Sequence, residues 1–185
     1  MKELSLNILD VAENSVKAGA KLTKIIIDET VEELSLEITD NGCGMSEEAV
    51  SMVTNPFYTT RTTRSVGLGI PFLKLAAEQT GGTFSIFSNS QEQHPDNHGT
   101  QVKAQFNKNH LDFTPLGDIV STVTTLIQGH PDTDFMFLHS ISGKTVGTLD
   151  TREIRQILGD VSLGEYEVIR WIEEYLNDQY SENNL

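Results

Sequence analysis

Two β-rich stretches joined by a short polar connection lie near the start of the chain. Residues 22–28 and 34–39 are rich in Leu, Ile and Thr, and three of the five residues between them are Glu. Two such runs separated by a short connection predict a β-hairpin. Before the hairpin, apolar residues recur at mixed three- and four-residue spacings over residues 4–16, which predicts a helix with one buried face. The chain is therefore expected to begin with a helix and two paired strands.

Turn-forming residues and a change in charge divide the rest of the chain. Residues 1–109 carry 9 basic and 14 acidic side chains, a net charge of −5, whereas residues 110–185 carry 4 and 13, a net charge of −9. We expect an N-terminal domain over 1–109 and an acidic C-terminal extension over 110–185 that packs on this domain or on a partner. The elements predicted after the hairpin are a helix over 67–79, strands over 83–89 and 100–107, a helix over 116–128, a hairpin over 135–149, and helices over 151–158 and 163–177.

The composition narrows the class of partner. The 185 residues include 13 Lys and Arg against 27 Asp and Glu, so the net charge is −14. An acidic surface disfavours non-specific binding to nucleic acid or anionic lipid, and no run of about 18 apolar residues suggests a membrane span. The single cysteine, Cys43, cannot form an internal disulfide. We expect a globular, cytoplasmic protein that binds neither nucleic acid nor a membrane.

Three polar residues share one face of the first predicted helix. Asp10 and Asn14 are four residues apart, and Lys17 lies one turn further along. An amide oxygen can ligate Mg²⁺, an ammonium group can contact phosphate, and a carboxylate can orient or deprotonate a nucleophile. The row suits a magnesium–phosphate site. An exposed polar helix face is the alternative interpretation.

A turn with two glycines follows the second predicted strand. Its pattern is Asp40-x-Gly42-x-Gly44. Glycine permits a close backbone approach, or a positive φ, where a side chain would collide with a ligand. The Asp40 carboxylate is an acceptor suited to an exocyclic amine such as that of adenine. The position of this turn at a strand end, soon after Asn14, indicates a ligand cleft, and an ordinary turn is the alternative.

A long stretch without acidic residues lies in the middle of the N-terminal domain. Residues 49–77 contain no Asp or Glu but include Arg61, Arg64 and Lys74, with many hydroxyl side chains between them. Gly67 and Gly69 open the next predicted helix, and a helix N-terminus attracts anions. Residues 49–69 are interpreted as a mobile loop that covers phosphate groups. An ordinary surface loop is the alternative.

These motifs follow one another in an order typical of a known superfamily. They read Glu-Asn-Ser at 13–15, Asp-Asn-Gly-Cys-Gly at 40–44, Pro-Phe-Tyr-Thr-Thr-Arg at 56–61, Gly-Leu-Gly at 67–69 and Gly-Thr at 99–100. In this order they resemble the ATP-binding boxes of gyrases, heat-shock chaperones, histidine kinases and MutL proteins. The resemblance covers roughly residues 1–109. The boxes at 56–61 and 67–69 are most similar to sensor histidine kinases, and those at 13–15 and 40–44 to MutL mismatch-repair proteins.

The resemblance implies a fold, a ligand and a set of contacts. The fold would be α/β (α+β): a two-layer sandwich with a mixed β-sheet covered by helices on one face, extended at the C-terminus by a helix, a hairpin and two helices. The ligand would be ATP with Mg²⁺, with Asn14 on the metal, Asp40 on the adenine amine and Thr100 supporting Asp40. Gly42 and Gly44 would shape the adenine wall. The other residues assigned to the nucleotide are Lys17, Met45, Phe57, Thr59, Thr60, Arg61, Gly67, Leu68, Gly69 and Lys74.

Two departures from the family pattern bear on activity. In the hydrolysing and serine-phosphorylating branches a Glu usually stands four residues before the metal asparagine. Here this position is Asp10, which is one methylene shorter and is expected to act as the catalytic base, through a water if necessary. Histidine kinases also carry a dimerisation helix with the phosphorylated histidine before this domain. Because the chain starts with the ATP-binding helix, autophosphorylation by that scheme is not expected in this chain alone.

The leading interpretation is a stand-alone ATP-binding protein or ATPase that acts as a nucleotide-gated regulatory switch. The alternatives are a protein serine/threonine kinase resembling anti-sigma factors, and an interaction module that binds ATP without turnover. A protein partner is expected, and a homodimer is also open. The five histidines lack the spacing of a zinc site and receive no role. Trp171, in the last predicted helix, is expected in the core or at an interface.

Overall fold

The computed structural model describes residues 3–54 and 68–183. The order of elements follows the sequence prediction closely, with one additional short helix after residue 46. The described helices are α1 (Leu4–Lys17), α2 (Glu47–Val53), α3 (Gly69–Gln79), α4 (Ile119–Gly129), α5 (Thr151–Leu158) and α6 (Tyr166–Glu182). The strands are β1 (Leu22–Glu29), β2 (Glu33–Asp40), β3 (Thr83–Asn89), β4 (Gly99–Asn107), β5 (Asp134–Ile141) and β6 (Lys144–Asp150).

The strands form one mixed sheet in the order β3-β4-β2-β1-β5-β6. β1 and β2 pair antiparallel as the predicted hairpin, with Thr23 opposite Asp40. β4 is antiparallel to both β2 and β3, and β6 is antiparallel to β5. β1 and β5 are parallel, with Leu22 opposite Asp134. The expected mixed sheet is confirmed.

Alternating side chains give the sheet one buried and one more polar face. Ile25, Ile27, Leu36 and Ile38 of the central hairpin are almost fully buried, because strand residues alternate between the two faces. Helices α1, α3 and α4 belong to the same hydrophobic core and bring Leu4, Ile8, Leu73 and Leu126 to it. The expected two-layer arrangement of sheet and helices is confirmed. It places the end of β2 beneath α1, where Asp40 accepts a hydrogen bond from Ser15.

The acidic C-terminal segment joins the sheet through its hairpin. β5 runs alongside β1 over the whole length of that strand. Phe135 and Phe137 of β5 are fully buried in the same hydrophobic core as Ile25 and Ile27 of β1. Residues on both sides of position 110 therefore share one sheet and one core.

Two expectations about local structure are corrected. Residues 49–53, interpreted from the sequence as the start of a mobile loop, belong to α2. The side chain of Ser46 caps this helix by accepting a hydrogen bond from the Ala49 backbone amide, and Glu47 and Glu48 favour its first turn. The last helix covers Tyr166–Glu182, not residues 163–177, because Ser162 and Gly164 form a turn that delays its start. Across the described residues, no helix is long and apolar enough to cross a membrane.

Candidate functional site

A cavity of about 280 Å³ opens between α1, the carboxyl end of β2 and the start of α3. Most of its wall is apolar, and a few polar groups from α1, β2 and β4 reach into it. A small set of convergent polar groups in an apolar cavity is typical of a small-molecule site. The lining residues are Val11, Asn14, Ser15, Lys17, Ala18, Ile38, Asp40, Cys43, Gly44, Met45, Val53, Ile70, Thr100 and Val102.

Asp40, the last residue of β2, is held by two hydrogen bonds. The Ser15 hydroxyl donates to Asp40 Oδ2 over 2.8 Å, and the Gly42 backbone amide donates to Oδ1 over 2.9 Å. Ser15 itself is buried on the inner face of α1. Two fixed donors orient the carboxylate, and each of its oxygens keeps a further lone pair for a ligand.

The two glycines of the turn after β2 are required by the protein's own backbone. Gly44 has φ +64°, and a Cβ at this position would overlap the carbonyl oxygen of Asn89. At Gly42 a Cβ would lie 2.9 Å from the Cβ and the carbonyl oxygen of Ala18. The turn therefore packs tightly between β3 and the end of α1. Gly44 lines the cavity, and Gly42 contributes the amide that orients Asp40.

Asn14 and Lys17 lie where the helical spacing predicts, on the cavity side of α1. The Asn14 Nδ2 atom is buried and lacks a hydrogen-bond partner within the described ranges. A buried polar group without a protein partner is unusual, and this amide is available to a ligand or a water. Lys17 forms only a loose pair with Glu13, at 3.9 Å, and its side chain is largely exposed. Its ammonium group can therefore turn toward an anion in the cavity.

Asp10 and Gly69 are in contact at the junction of α1 and α3. A Cβ added at Gly69 would lie 2.5 Å from the Asp10 Cβ, so glycine allows the two helices to approach closely. The Asp10 side chain is exposed, and Asp10 is not among the cavity-lining residues. α3 starts at Gly69 with exposed Leu68 as N-cap and without a side-chain cap. In this first turn Gly69 and Ile70 carry the backbone amides that can face an anion, since Pro71 has none and the Phe72 amide bonds the Leu68 carbonyl.

Lys74 and Thr100 make contacts with other protein groups. Lys74 pairs with Glu78 of the same helix at 3.9 Å. Thr100 lies opposite Asp40 in the sheet, but its hydroxyl is hydrogen-bonded to Ser88 at 2.9 Å. Ser88 also accepts from the Met45 amide at 2.8 Å and thereby ties the glycine turn to β3. Thr100 and Met45 nevertheless line the cavity.

A second polar cluster lies at the opposite end of β1. The buried His139 bonds Glu29 Oε1 through Nε2 at 3.1 Å and the Tyr180 hydroxyl through Nδ1 at 2.8 Å. Lys108 pairs with Glu29 Oε2 at 2.6 Å. The hydrogen bond from His139, assisted by Lys108, holds the pKa of Glu29 below its usual range although burial acts to raise it. Burial and, to a lesser extent, the charge of Glu29 raise the pKa of Tyr180.

A family profile matches the part of the chain that contains the cavity. Residues 2–110 match the histidine kinase-, DNA gyrase B- and HSP90-like ATPase family. The chain belongs to this family. All residues that line the cavity lie inside the matched range. The strands β5 and β6 and the helices α4, α5 and α6 lie outside it.

One protein of related sequence and two solved structures are similar to this chain. It is 33% identical over 101 residues to the sensor histidine kinase YvrG of Bacillus subtilis (strain 168), which covers 51% of this chain and 16% of YvrG. Its fold is similar to the N-terminal domain of a DNA repair protein, with TM-score 0.54, 16% identity, and 80% and 53% of the two chains covered. It is also similar to the Aquifex aeolicus MutL ATPase domain complexed with ADP, with TM-score 0.54, 13% identity, and 85% and 69% covered.

The cavity and the turn beside it contain some residues that the sequence motifs did not indicate. Ser15, which orients Asp40, and Ser88, which binds the glycine turn, were not assigned a role. The Glu-Asn-Ser motif contains Ser15 one position after Asn14, and this adjacency was the available signal. Five predicted nucleotide-binding residues lie outside the described residues: Phe57, Thr59, Thr60, Arg61 and Gly67.

Proposed function

We propose that this chain binds ATP in the cavity between α1 and β2. The observation that carries this proposal is Asp40, an acceptor fixed by Ser15 and Gly42 at the polar end of an apolar pocket. Such a carboxylate is complementary to the exocyclic amine of adenine, and the apolar wall to the ring. Membership of an ATPase family supports the same ligand.

The phosphate side of the site would be formed by α1 and α3. Asn14 offers an amide oxygen for Mg²⁺, and its unpartnered Nδ2 offers a donor for a phosphate oxygen. Lys17 and Lys74 lie in weak, partly exposed pairs that can be exchanged for a phosphate. The uncapped N-terminus of α3 would add backbone donors and a partial positive charge. Mg²⁺ would neutralise phosphate charge and hold the phosphates in one orientation.

The leading function is a nucleotide-gated regulatory switch with slow turnover. A contact between the ATP helix and the C-terminal segment supports it. His130, which follows α4, is hydrogen-bonded to Glu13 at 2.7 Å, and Glu13 precedes Asn14. Glu13 also faces Lys17. A change at the phosphate side of α1 can therefore alter a contact with the segment that carries β5 and β6.

A protein serine/threonine kinase is the second candidate, and the exposure of Asp10 favours it. The carboxylate lies one turn before Asn14, beside the N-terminus of α3, where a hydroxyl from another protein could reach it. In that case Asp10 would accept the proton of the hydroxyl as it attacks the terminal phosphate of ATP. Binding of ATP without turnover is the third candidate.

Two measurements test these functions in order. Calorimetry with ATP should give saturable binding that weakens when EDTA removes Mg²⁺, and an absence of binding would refute the proposal. The full chain is then incubated with γ-labelled ATP, with and without an extract of cellular proteins. Free labelled phosphate indicates an ATPase, label on a protein indicates a kinase, and neither product indicates a binding module.

A further inference from the structure

Aromatic and acidic side chains share one face of α6. Trp171, the only tryptophan of the chain, and Tyr175 are 49% and 40% exposed. Their rings stack with centroids 5.2 Å apart and an interplanar angle of 10°. Helical spacing places Glu167, Glu174 and Asp178 on the same face, next to the face that α6 buries. Trp171 is therefore at the surface, where large aromatic side chains commonly mark binding sites.

A groove runs beside this face, between β6, α5 and α6. We call it the α5–α6 groove. It has a volume of about 460 Å³, and Ile157 of α5, which is 83% exposed, stands at its edge. The partly exposed Met136 contributes further apolar surface, whereas Leu149, which also lines the groove, is buried. An isoleucine this exposed beside two exposed aromatic side chains forms a continuous apolar patch, whereas isolated exposed apolar residues are ordinary.

The charged side chains around the groove indicate which kind of molecule it can bind. Arg152 is hydrogen-bonded through Nε to Asp150, and Arg170 lies between Glu167 and Glu174 at 3.5 and 3.6 Å. The charge of Lys24 of β1 also reaches Asp150. With Lys24 counted, the acidic side chains around the groove (Asp150, Glu153, Glu167, Glu174, Asp178) still outnumber the basic ones (Lys24, Arg152, Arg170). Glu153 and Asp178 form no ion pair with any residue that the structure describes. A cation from another molecule could therefore satisfy them.

The chemistry of the groove favours a basic occupant with an apolar side. Trp and Tyr rings attract Lys and Arg by cation–π interactions, and carboxylates bind them by charge-assisted hydrogen bonds. A second copy of this chain would present the same acidic face, since residues 110–185 carry a net charge of −9. Like charges across an interface are repulsive. Pairing of two such grooves is therefore disfavoured.

We propose that the α5–α6 groove docks a basic amphipathic segment of another protein. The apolar side of the segment would cover Ile157 and Met136, and its Arg or Lys side chains would lie over Trp171 and Tyr175, close to Asp178. The surface lies outside the range matched by the ATPase family, residues 2–110. The proposal does not depend on nucleotide binding.

A labelled model peptide tests the groove on the full chain. The probe is an 18-residue helical peptide with Leu on one face and Arg on the other. Binding is measured by the fluorescence anisotropy of the labelled peptide and by the emission of Trp171. We expect saturable binding with a blue shift of the Trp171 emission. Y175A and I157S should each weaken binding by about tenfold or more, as expected for residues at the centre of an interface. Y166S is the matched control, because Tyr166 is 68% exposed on another side of the same helix.

Two further peptides separate docking from general attraction to an acidic protein. One replaces every Arg by Glu and the other replaces every Leu by Ser, and both should bind at least tenfold more weakly. Equal binding of either peptide, equal binding by Y175A and I157S, or an absence of binding at millimolar peptide would overturn the proposal. Sedimentation that reveals a dimer dissociated by I157S would also overturn it, in favour of a second copy as the occupant.

Discussion

Ser15 donates a hydrogen bond to Asp40 Oδ2 over 2.8 Å. The donor lies on the helix that carries Asn14, and the acceptor ends the neighbouring strand, so one bond connects the proposed metal side and adenine side of the cavity. The carboxylate is oriented before a ligand arrives. Such preorganisation lowers the cost of ordering a contact upon binding.

Asp40→Asn is expected to weaken ATP binding strongly. The change replaces a charged acceptor in a pocket, and the loss should be about 1.5 to 3 kcal/mol, or roughly 10- to 150-fold in Kd. Ser15→Ala removes only one orienting donor and should cost about 0.5 to 1.5 kcal/mol. Calorimetry measures the ATP affinity of both variants.

Ser5→Ala is the control for Ser15→Ala, since Ser5 is equally buried but lies at the far end of α1. An unchanged ATP affinity in Asp40→Asn would contradict the proposed role of Asp40.

Gly44→Ala is expected to destabilise the fold more than Gly19→Ala. Both glycines have positive φ, at +64° and +74°, but a Cβ at Gly19 meets no atom within 4 Å, whereas one at Gly44 overlaps the Asn89 carbonyl. Backbone strain alone should cost Gly19→Ala about 1 to 2 kcal/mol. Overpacking should lower the free energy of unfolding of Gly44→Ala by a further 1 to 3 kcal/mol or so. Urea unfolding measures the free energy of unfolding of both variants. Equal reductions would mean that the close approach of Gly44 to β3 does not contribute to stability.

Glu29 is expected to make stability depend on acid pH. Its pKa is lowered in the folded state, mainly by the hydrogen bond from His139. The folded protein therefore binds this proton less readily than the unfolded chain, and the contribution to stability is present at neutral pH. It is lost as the pH falls below about 4.3, the usual pKa of glutamate, and through the lower folded value.

Glu29→Gln tests that contribution. At pH 7 the substitution should reduce the free energy of unfolding by about 1.5 to 3 kcal/mol, as expected for lost hydrogen bonds to a charged group. The difference from the wild type should shrink as the solution is acidified below pH 4. Glu32→Gln is a matched control, because Glu32 is exposed in the turn that follows Glu29. A difference that stays constant down to pH 3 would show that the Glu29 charge does not contribute.

The parts of the fold and site that could be predicted are those encoded locally. The row of Asp10, Asn14 and Lys17 follows from helical spacing alone, and the turn after Asp40 from its glycines. The parallel pairing of β1 with β5 could not be derived in the same way, because Leu22 and its partner Asp134 are far apart in the chain. The hydrogen bond between His139 and Glu29 could not be derived either, because these residues are also far apart in the chain. A histidine without a local motif gives no sign of the charge it will meet in the fold.

The helix α2 was missed for a different reason. The segment after Ser46 was judged by its lack of acidic residues from position 49 onward and by its hydroxyl side chains. The helix signal lies just before it, in the Ser46 cap and the two glutamates of the first turn. A cap and favourable charges at the N-terminus of α2 outweigh the modest helix propensity of the residues that follow.

Asp10 and Asn14 are expected to respond differently to substitution, although they lie one helical turn apart. If the protein hydrolyses or transfers phosphate, Asp10→Asn should preserve ATP affinity and lower the rate by about 10² to 10⁴, the usual range for loss of a positioned acid–base group. Asn14→Ala should instead weaken the binding of Mg²⁺ and ATP together, because it removes a metal ligand. Calorimetry and single-turnover assays on the same preparations separate affinity from rate.

The exposed position of Asp10 makes the outcome informative. Its contact with Gly69 holds the backbone of α1 close to the N-terminus of α3, so the carboxylate is near the proposed phosphate site without forming part of the cavity wall. If Asp10 only orients Asn14 or a metal-bound water, both substitutions should reduce affinity together. Full turnover in Asp10→Asn would show that no base is needed at this position. A loss of rate at unchanged affinity would assign the proton transfer to Asp10, because Asn14 cannot accept that proton.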